Sequence, residues 1–334
     1  MTRTSLLAAA VAALTAAALA VSPNAGAALF ADGTPRADTV RVKAAATTAA
    51  EHHRIVEYWT PARMRNAVPA DRIVADRPRT SAGGAVERGE PVVVGARAKT
   101  GKPGASADGT GGYYTGGGEV AETTGKVFFT LGGTDYVCSG SATTSTNRDV
   151  VLTAGHCVNE GPGDYATKWA FVPGYDDGAR PFGTFTARQL VTTSQWAGSG
   201  DFDYDVGLAV MNTLGGEHLT DVVGSQGIAF NQPRGQLTYA FGYPAARPYD
   251  GTDIAYCHDT VFADTYGGSQ DQGMDCNMTG GSSGGPWLIG YSASAGVGTL
   301  NSVNSFGYRG LKDVMWGPYF GAVAQQAYAT AAGM

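Results

Sequence analysis

Short apolar runs, separated by glycine, proline, asparagine and aspartate, set the pattern of the chain after residue 119. Ten runs have the length and β-prone composition of strands: 126–131, 136–142, 149–153, 168–172, 184–191, 205–211, 236–241, 254–262, 286–289 and 299–306. Few helical periods lie between them. Strands at this spacing are typical of an antiparallel sandwich or barrel. The pattern therefore predicts an all-β body over residues 119–334.

One helix is predicted at the end of the chain. Pro318 would open it, and apolar residues then recur at i, i+3, i+4, i+7 and i+8 from Phe320 to Tyr328. This spacing places them on one helix face, which we expect to dock on the β body.

The residues ahead of the body have a different texture. Residues 28–100 carry scattered prolines and no sustained period, so we expect a weakly structured leader with one short helix at 60–67. Thr60 would cap that helix and Pro61 would take its first position. Residues 101–118 contain eight glycines and read as a flexible linker. We place the domain boundary after them, with a leader at 28–118 and a body at 119–334.

The N-terminus has the features of a secretory signal. Arg3 supplies a positive start, residues 6–21 are apolar except for Thr15, and Ala25-Gly26-Ala27 fits a cleavage site. We therefore expect residues 1–27 to be a signal peptide and the protein to be exported. Since no later stretch reaches 18 apolar residues, we expect no membrane association after signal removal.

Charge differs between the two parts of the chain. Residues 28–118 carry 13 Lys/Arg against 9 Asp/Glu, while residues 119–334 carry 9 against 20. The acidic body argues against nucleic acid as a partner. The basic leader is expected to attract the body before processing, and we expect the protein to be a monomer.

Four cysteines are spread over the body: Cys138, Cys157, Cys257 and Cys276. An even number in an exported chain favours disulfides over metal or redox use. Three connectivities are possible, and we favour the two local pairs, each 19 residues apart. Neither pair has the spacing of a zinc site, so we expect no metal and no cofactor.

The segment Gly280-Gly281-Ser282-Ser283-Gly284-Gly285-Pro286 cannot fill a core, but it can turn tightly and expose backbone N–H groups. An exposed serine hydroxyl beside such donors supplies the nucleophile and the oxyanion cradle of an acyl-transfer enzyme. A glycine-serine linker is the alternative reading of this segment alone.

An activated serine needs a base, and the base needs an orienting acid. His156 follows an apolar strand and a glycine turn and precedes Cys157, which suits a histidine held at a strand end. Among the nearby acids, Asp205 directly precedes an apolar strand. Asp201 and Asp203 lie outside that run, and we expect them to be solvated.

The segments TAGHC, DVGLAV and GSSGGP, in this order, resemble the chymotrypsin/trypsin-like serine proteases, particularly their secreted actinobacterial members. The resemblance covers roughly residues 119–334. It implies two antiparallel six-stranded β-barrels with a C-terminal helix, and a protein or peptide substrate. It also implies that Cys138–Cys157 ties the histidine loop to a neighbouring strand. The signal peptide, the basic leader, the glycine-rich hinge and the acidic body together predict a precursor, with a pro-segment at 28–118 ahead of a secreted catalytic domain at 119–334.

The resemblance implies roles for individual residues. His156 would be the general base, Asp205 its orienting acid, and Ser283 the nucleophile, with the N–H groups of Gly281 and Ser283 as oxyanion donors. The residues expected to bind substrate are Asn277, Met278, Asn304, Ser305, Phe306 and Gly307. Much of the family has an aspartate where Ser282 stands, so activation here cannot use an ion pair with a new N-terminus.

Two other functions fit parts of the sequence. An α/β-hydrolase needs its histidine after the serine, and no histidine follows His258, which excludes that fold. A catalytically silent binding module on the same fold remains an alternative, although such proteins usually lose a triad residue and none is missing here.

Overall fold

The computed structural model describes residues 1, 39–77, 85–97 and 111–334. The predicted signal peptide, apart from Met1, and most of the glycine-rich linker lie outside these residues. Within the described residues, no helix is both long and apolar enough to span a membrane.

The elements of the described chain are numbered here in sequence order. The strands are β1 (Val40–Ala44), β2 (Val68–Pro69), β3 (Val92–Val94), β4 (Gly112–Tyr113), β5 (Thr124–Leu131), β6 (Thr134–Thr143), β7 (Val150–Thr153), β8 (Thr167–Pro173), β9 (Phe185–Thr193), β10 (Gly207–Met211), β11 (Gly227–Phe230), β12 (Leu237–Gly242), β13 (Ala255–Thr260), β14 (Phe262–Ala263), β15 (Gln272–Asp275), β16 (Pro286–Ser292), β17 (Val297–Val303) and β18 (Val314–Gly317). The α-helices are α1 (Ala49–Tyr58), α2 (Pro61–Asn66), α3 (Glu119–Thr123), α4 (Ser194–Ser199), α5 (Leu219–Val223) and α6 (Ala322–Ala332). Short 3₁₀ helices occur at Ala70–Ile73, Gly155–Cys157 and Phe202–Tyr204.

Strands β5 to β10 close into a six-stranded antiparallel barrel. The order is β9-β10-β7-β6-β5-β8, and β8 pairs back onto β9. Closure removes the unpaired strand edges that would otherwise expose backbone donors and acceptors. Strands β5, β7 and β10 are buried along their whole lengths, which explains why most of their side chains are apolar.

Strands β12, β13, β15, β16, β17 and β18 form a second, barrel-like set. β17, β16, β12 and β13 follow one another in one sheet, and β15 pairs with β18 in another. The two sheets are joined on one side by the Cys257–Cys276 disulfide and on the other by a bridge between Phe306 and Trp316. The all-β, two-barrel prediction is therefore confirmed.

All ten predicted strands are present, as β5 to β10, β12, β13, β16 and β17. The C-terminal helix is also present, but it begins at Ala322 rather than at Pro318, with Gly321 as its N-cap. The predicted apolar face is buried, including Val323, Ala327 and Tyr328.

The described part of the leader is more regular than the weak structure expected. The predicted helix is confirmed as α2, and the Thr60 hydroxyl accepts the N–H of Arg63 at its start. Beyond it, β1 pairs with β9, β2 with β6 and β3 with β11. These strands are short and their partners lie far along the chain, so no local hydrophobic periodicity predicts them. The described residues from 39 onward belong to one compact unit.

Both favoured disulfides are present. The S–S distances are 2.02 Å for Cys138–Cys157 and 2.12 Å for Cys257–Cys276. The first joins β6 to the 3₁₀ helix that carries His156, and the second joins β13 to the residue after β15. Each bridge thus fixes one strand against a loop that leads toward the predicted site.

Candidate active site

His156 and Asp205 form a buried pair at the ends of two neighbouring strands. His156 lies in the 3₁₀ helix after β7, and Asp205 lies just before β10, which pairs with β7. The Nδ1 atom of His156 is 2.8 Å from Asp205 Oδ2, and its backbone N–H donates to Asp205 Oδ1 at 2.8 Å. These two contacts hold the imidazole with its Nε2 edge directed away from the carboxylate.

The carboxylate of Asp205 is held by a third donor. Ser305 Oγ donates to Asp205 Oδ2 at 2.5 Å. Burial is the largest influence on the pKa of Asp205 and raises it, but the charge of His156 and the hydrogen bonds from His156 and Ser305 together outweigh burial. The pKa of Asp205 is therefore lowered, and this carboxyl group stays ionised in the core.

The neighbouring aspartates are buried, which corrects the expectation that they are solvated. Asp201 and Asp203 are 6% and 2% exposed. Asp203 Oδ1 accepts the backbone N–H of Gln270 at 2.7 Å. This acceptor role needs a segment 67 residues away, so the local sequence could not reveal it.

The two adjacent serines of the glycine-rich loop have different surroundings. Ser282 Oγ donates to the carbonyl oxygen of Thr279 at 2.8 Å, so its hydroxyl is tied back into its own turn. Ser283 is 4% exposed and its hydroxyl has no such bond within the described chain. The geometry therefore leaves Ser283, not Ser282, with an unengaged hydroxyl.

Two glycines shape the backbone around Ser283. Gly281 has φ +97° and Gly284 has φ +79°, a region that side chains with a Cβ rarely adopt. A Cβ at Gly284 would also lie 2.6 Å from the carbonyl oxygen of Ser139. Among the described residues, the N–H groups of Gly281 and Ser283 have no acceptor, so both are free to bind an oxyanion.

Ser139 on β6 connects this loop to both barrels, a role that the sequence did not indicate. Its N–H donates to the carbonyl oxygen of Ser283 at 2.7 Å, and its Oγ donates to that of Gly281 at 3.0 Å. Its Oγ also accepts the N–H of Tyr243 at 2.8 Å. Ser139 thus fixes the nucleophile loop against the barrel that carries His156.

The histidine and serine segments are close neighbours. The Cys157 sulfur lies 3.8 Å from the carbonyl oxygen of Ser283. His156 Nε2 is buried and has no hydrogen-bond partner within the described residues, Ser283 Oγ included. Catalytic hydrogen bonds are often long or misaligned before substrate binds, so this arrangement is compatible with a base beside its nucleophile.

A cavity of about 500 Å³ opens beside Ser283. Five of the six residues predicted to bind substrate line it: Asn277, Met278, Ser305, Phe306 and Gly307. The leader residues Asp71, Val74 and Ala75 form part of the same wall. Asn277 is fixed in place because its Oδ1 accepts the hydroxyl of Tyr249 at 2.7 Å.

Asn304 does not line this cavity, which corrects the expectation for that residue. Its side chain is fully buried under the nucleophile loop, where Nδ2 donates to the carbonyl oxygens of Ser282 at 3.0 Å and Phe241 at 2.9 Å. Its Oδ1 accepts Trp287 Nε1–H at 2.7 Å. Asn304 follows the last residue of β17, and its side chain is directed inward toward these polar partners.

The described residues contain one cluster with the proximity of a metal site, formed by Cys138, His156 and Cys157. The two cysteine sulfurs are bonded to each other. Metal ligation by cysteine requires a thiolate, so this cluster does not suit a metal ion.

No protein-family model matches the chain. An extracellular metalloprotease of Bacillus subtilis is 27% identical over 131 residues, and the match spans 39% of this chain and about 40% of that protein's length.

Solved structures agree with the two-barrel architecture. A Glu endopeptidase, 19% identical with a TM-score of 0.54, spans 68% of this chain and 99% of its own and shows the fold alone. The thermostable serine protease AL20 is 46% identical with a TM-score of 0.61, covering 65% of this chain and 99% of its own. The protease Anisep of Arthrobacter nicotinovorans is 53% identical with a TM-score of 0.61, covering 64% of this chain and 96% of its own. The chain therefore belongs to the chymotrypsin-like serine proteases and is a serine endopeptidase.

Proposed function

We propose that this protein is a secreted endopeptidase that hydrolyses peptide bonds through His156, Asp205 and Ser283. The observation that carries the proposal is the buried His156–Asp205 pair, whose remaining Nε2 edge lies unpaired next to the Ser283 loop. An imidazole oriented by a carboxylate and left with one open nitrogen has the geometry of a general base.

In the proposed reaction, Ser283 Oγ attacks the carbonyl carbon of the substrate while His156 Nε2 accepts the hydroxyl proton. The carbonyl oxygen becomes an oxyanion, which the free N–H groups of Gly281 and Ser283 hold. When the C–N bond breaks, His156 gives the proton to the leaving amine, and an acyl-enzyme remains on Ser283. Water, deprotonated by His156, then releases the acid product and restores the serine.

We propose that the cavity beside Ser283 receives the substrate side chain next to the cleaved bond. Its lining supports this, since Asn277, Met278 and the segment from Ser305 to Gly307 border it together with Ser283. The segment from Ser305 to Gly307 would pair with the substrate backbone. Asn304 would act from below the loop rather than by contacting substrate.

We also propose that the protein is exported and made as a precursor, with a signal peptide at 1–27, a pro-segment at 28–118 and the catalytic domain at 119–334. The two disulfides support an oxidising destination. The strand pairing of β1 and β3 with the body supports leader-to-body association before processing.

The test compares Ser283→Ala with Ser282→Ala in the processed protein. We expect wild type and Ser282→Ala to take up a fluorophosphonate on Ser283 and to cleave denatured casein. Ser283→Ala should do neither, because the nucleophile is gone. Labelling that survives in Ser283→Ala but disappears in Ser282→Ala would overturn the assignment.

A further inference from the structure

The reactive side chains of the proposed triad are almost fully buried. His156 is 0% exposed and Ser283 is 4% exposed. A peptidase must bring one peptide bond against both groups, and the cavity through which it would come is lined in part by the leader residues Asp71, Val74 and Ala75. The leader contributes to this burial, because its 3₁₀ helix Ala70–Ile73 packs against the 3₁₀ helix Gly155–Cys157, which carries His156.

Asp71 of the leader lies directly on the nucleophile loop. A Cβ built at Gly280 would come 2.6 Å from Asp71 Oδ2, so the carboxylate occupies the space above this glycine. Asp71 Oδ1 is buried without a hydrogen-bond partner in the described chain. A leader carboxylate therefore stands beside the loop whose N–H groups would hold the oxyanion of the reaction.

Val74 anchors the same segment in an aromatic pocket of the body. It is 1% exposed and packs with Trp196, Phe202 and Phe306. These rings are in contact with one another, at centroid distances of 5.4 Å for Trp196–Phe202 and 4.9 Å for Phe202–Phe306. Burial of an aliphatic side chain among such rings holds the segment far more firmly than its surface charges would.

The segment also contacts the body at both ends. On one side, Val68 and Pro69 of β2 pair in parallel with β6. On the other, Asp76 lies 3.2 Å from Arg309 in an exposed ion pair. Residues 68–77 thus run from the first barrel to the wall of the cavity beside Ser283.

We propose that residues 68–77 form an inhibitory segment that docks in the substrate cleft, with Val74 as its anchor and Asp71 as the group that blocks the nucleophile loop. This inference rests on the proposed triad and names the leader residues that inhibit it. It assigns activation to removal of the segment from the cleft, which fits a chain that has Ser282 where an activation ion pair would need an aspartate.

The test measures fluorophosphonate labelling of Ser283 in the unprocessed full chain, followed by intact mass so that processed molecules are counted separately. We expect wild type to label at least about a hundredfold more slowly than the processed protein. Val74→Asp, which places a carboxylate among the aromatic rings, should accelerate labelling by about a hundredfold. Val74→Ala, which removes two buried methyl groups, should accelerate it by about tenfold.

Arg72→Asp is the matched control, because it introduces the same residue in the same segment at an exposed position. Its labelling rate should stay within about twofold of wild type. If Val74→Asp does not unfold cooperatively on heating, the milder Val74→Ala decides the comparison.

The outcomes separate the two proposals. A processed protein that neither labels nor cleaves casein would overturn the triad itself. A processed protein that labels, together with an unprocessed wild-type chain that labels equally fast, would overturn only the inhibitory segment. Equal acceleration by Arg72→Asp and Val74→Asp would also overturn it, since general loosening of the leader would then explain both.

Discussion

Asn304 offers the most direct test of how the nucleophile loop is held. Its side chain makes three hydrogen bonds in a fully buried position, two through Nδ2 and one through Oδ1. Asn304→Ala removes all three. The carbonyl oxygen of Ser282 keeps another donor, the N–H of Gly285 at 2.9 Å. Trp287 Nε1–H, by contrast, loses its only acceptor among the described residues.

The expected loss in the free energy of unfolding follows from the hydrogen bonds that are removed. A buried donor left without a partner costs about 1–3 kcal/mol, and each lost hydrogen bond to the carbonyl oxygens of Ser282 and Phe241 costs about 0.5–1 kcal/mol. The free energy of unfolding should therefore fall by about 3 kcal/mol. For a body of this size, each kcal/mol lowers Tm by about 2–4 °C, so we expect a loss of about 9 °C.

Thermal unfolding followed by circular dichroism measures the stability, and fluorophosphonate labelling of the processed protein measures the loop. Because Ser283 would no longer be held in place, its labelling rate should fall at least about tenfold. The control is Asn301→Ala, a buried asparagine on β17 whose Oδ1 has no hydrogen-bond partner in the described residues. Equal losses of Tm and labelling in the two variants would refute the role assigned to Asn304.

Three further predictions concern groups away from the nucleophile. The Lys126 amine is buried and donates to the carbonyl oxygen of Gly251 at 2.7 Å, and burial lowers its pKa from 10.5 to about 8. Between pH 8 and pH 10.5 the Lys126 amine is protonated in the unfolded chain but not in the folded one, so folding becomes more favourable as the pH rises. In denaturant titrations, the free energy of unfolding of wild type relative to Lys126→Met should rise by about 3 kcal/mol over this range. A constant difference would contradict this. Burial, with the charge of Asp203 next, raises the pKa of Asp271 well above its usual value, and both its carboxyl oxygens lack partners in the described chain. Asp271→Asn should therefore raise the free energy of unfolding at pH 7 by about 1–3 kcal/mol, with the gain disappearing below about pH 4, whereas a loss at pH 7 would count against it. Replacing both Cys257 and Cys276 with serine should lower stability by about 3 kcal/mol in the same titrations, and an unchanged midpoint would show that this bridge does not constrain the unfolded chain.

Much of the fold was accessible from the sequence because its strands are buried locally and continuously. The runs that became β5 and β10 are mainly apolar, and turn residues mark their ends. The helix α2 was predictable for a different reason, since Thr60 and Pro61 supply a complete start signal in two residues.

What the sequence did not reveal depends on distant partners. β1 is regular only because it pairs with β9, about 150 residues later. β15 and β18 are short strands that pair with each other although β16 and β17 lie between them in the chain. The side chain of Asn304 was expected in the cavity wall because its neighbours lie there. Its inward direction is decided by Trp287 and Phe241, which pattern alone does not bring next to it.

In the proposed mechanism, the imidazole of His156 and the hydroxyl of Ser283 meet beside the free backbone N–H groups of Gly281 and Ser283. A crystal structure of the processed protein inhibited by diisopropyl fluorophosphate tests it directly. We predict phosphorus bonded to Ser283 Oγ, His156 Nε2 within about 3.2 Å of that oxygen, and a phosphoryl oxygen at a similar distance from the N–H groups of Gly281 and Ser283. Phosphorus on Ser282, or an imidazole of His156 that remains out of reach of Ser283, would contradict the account.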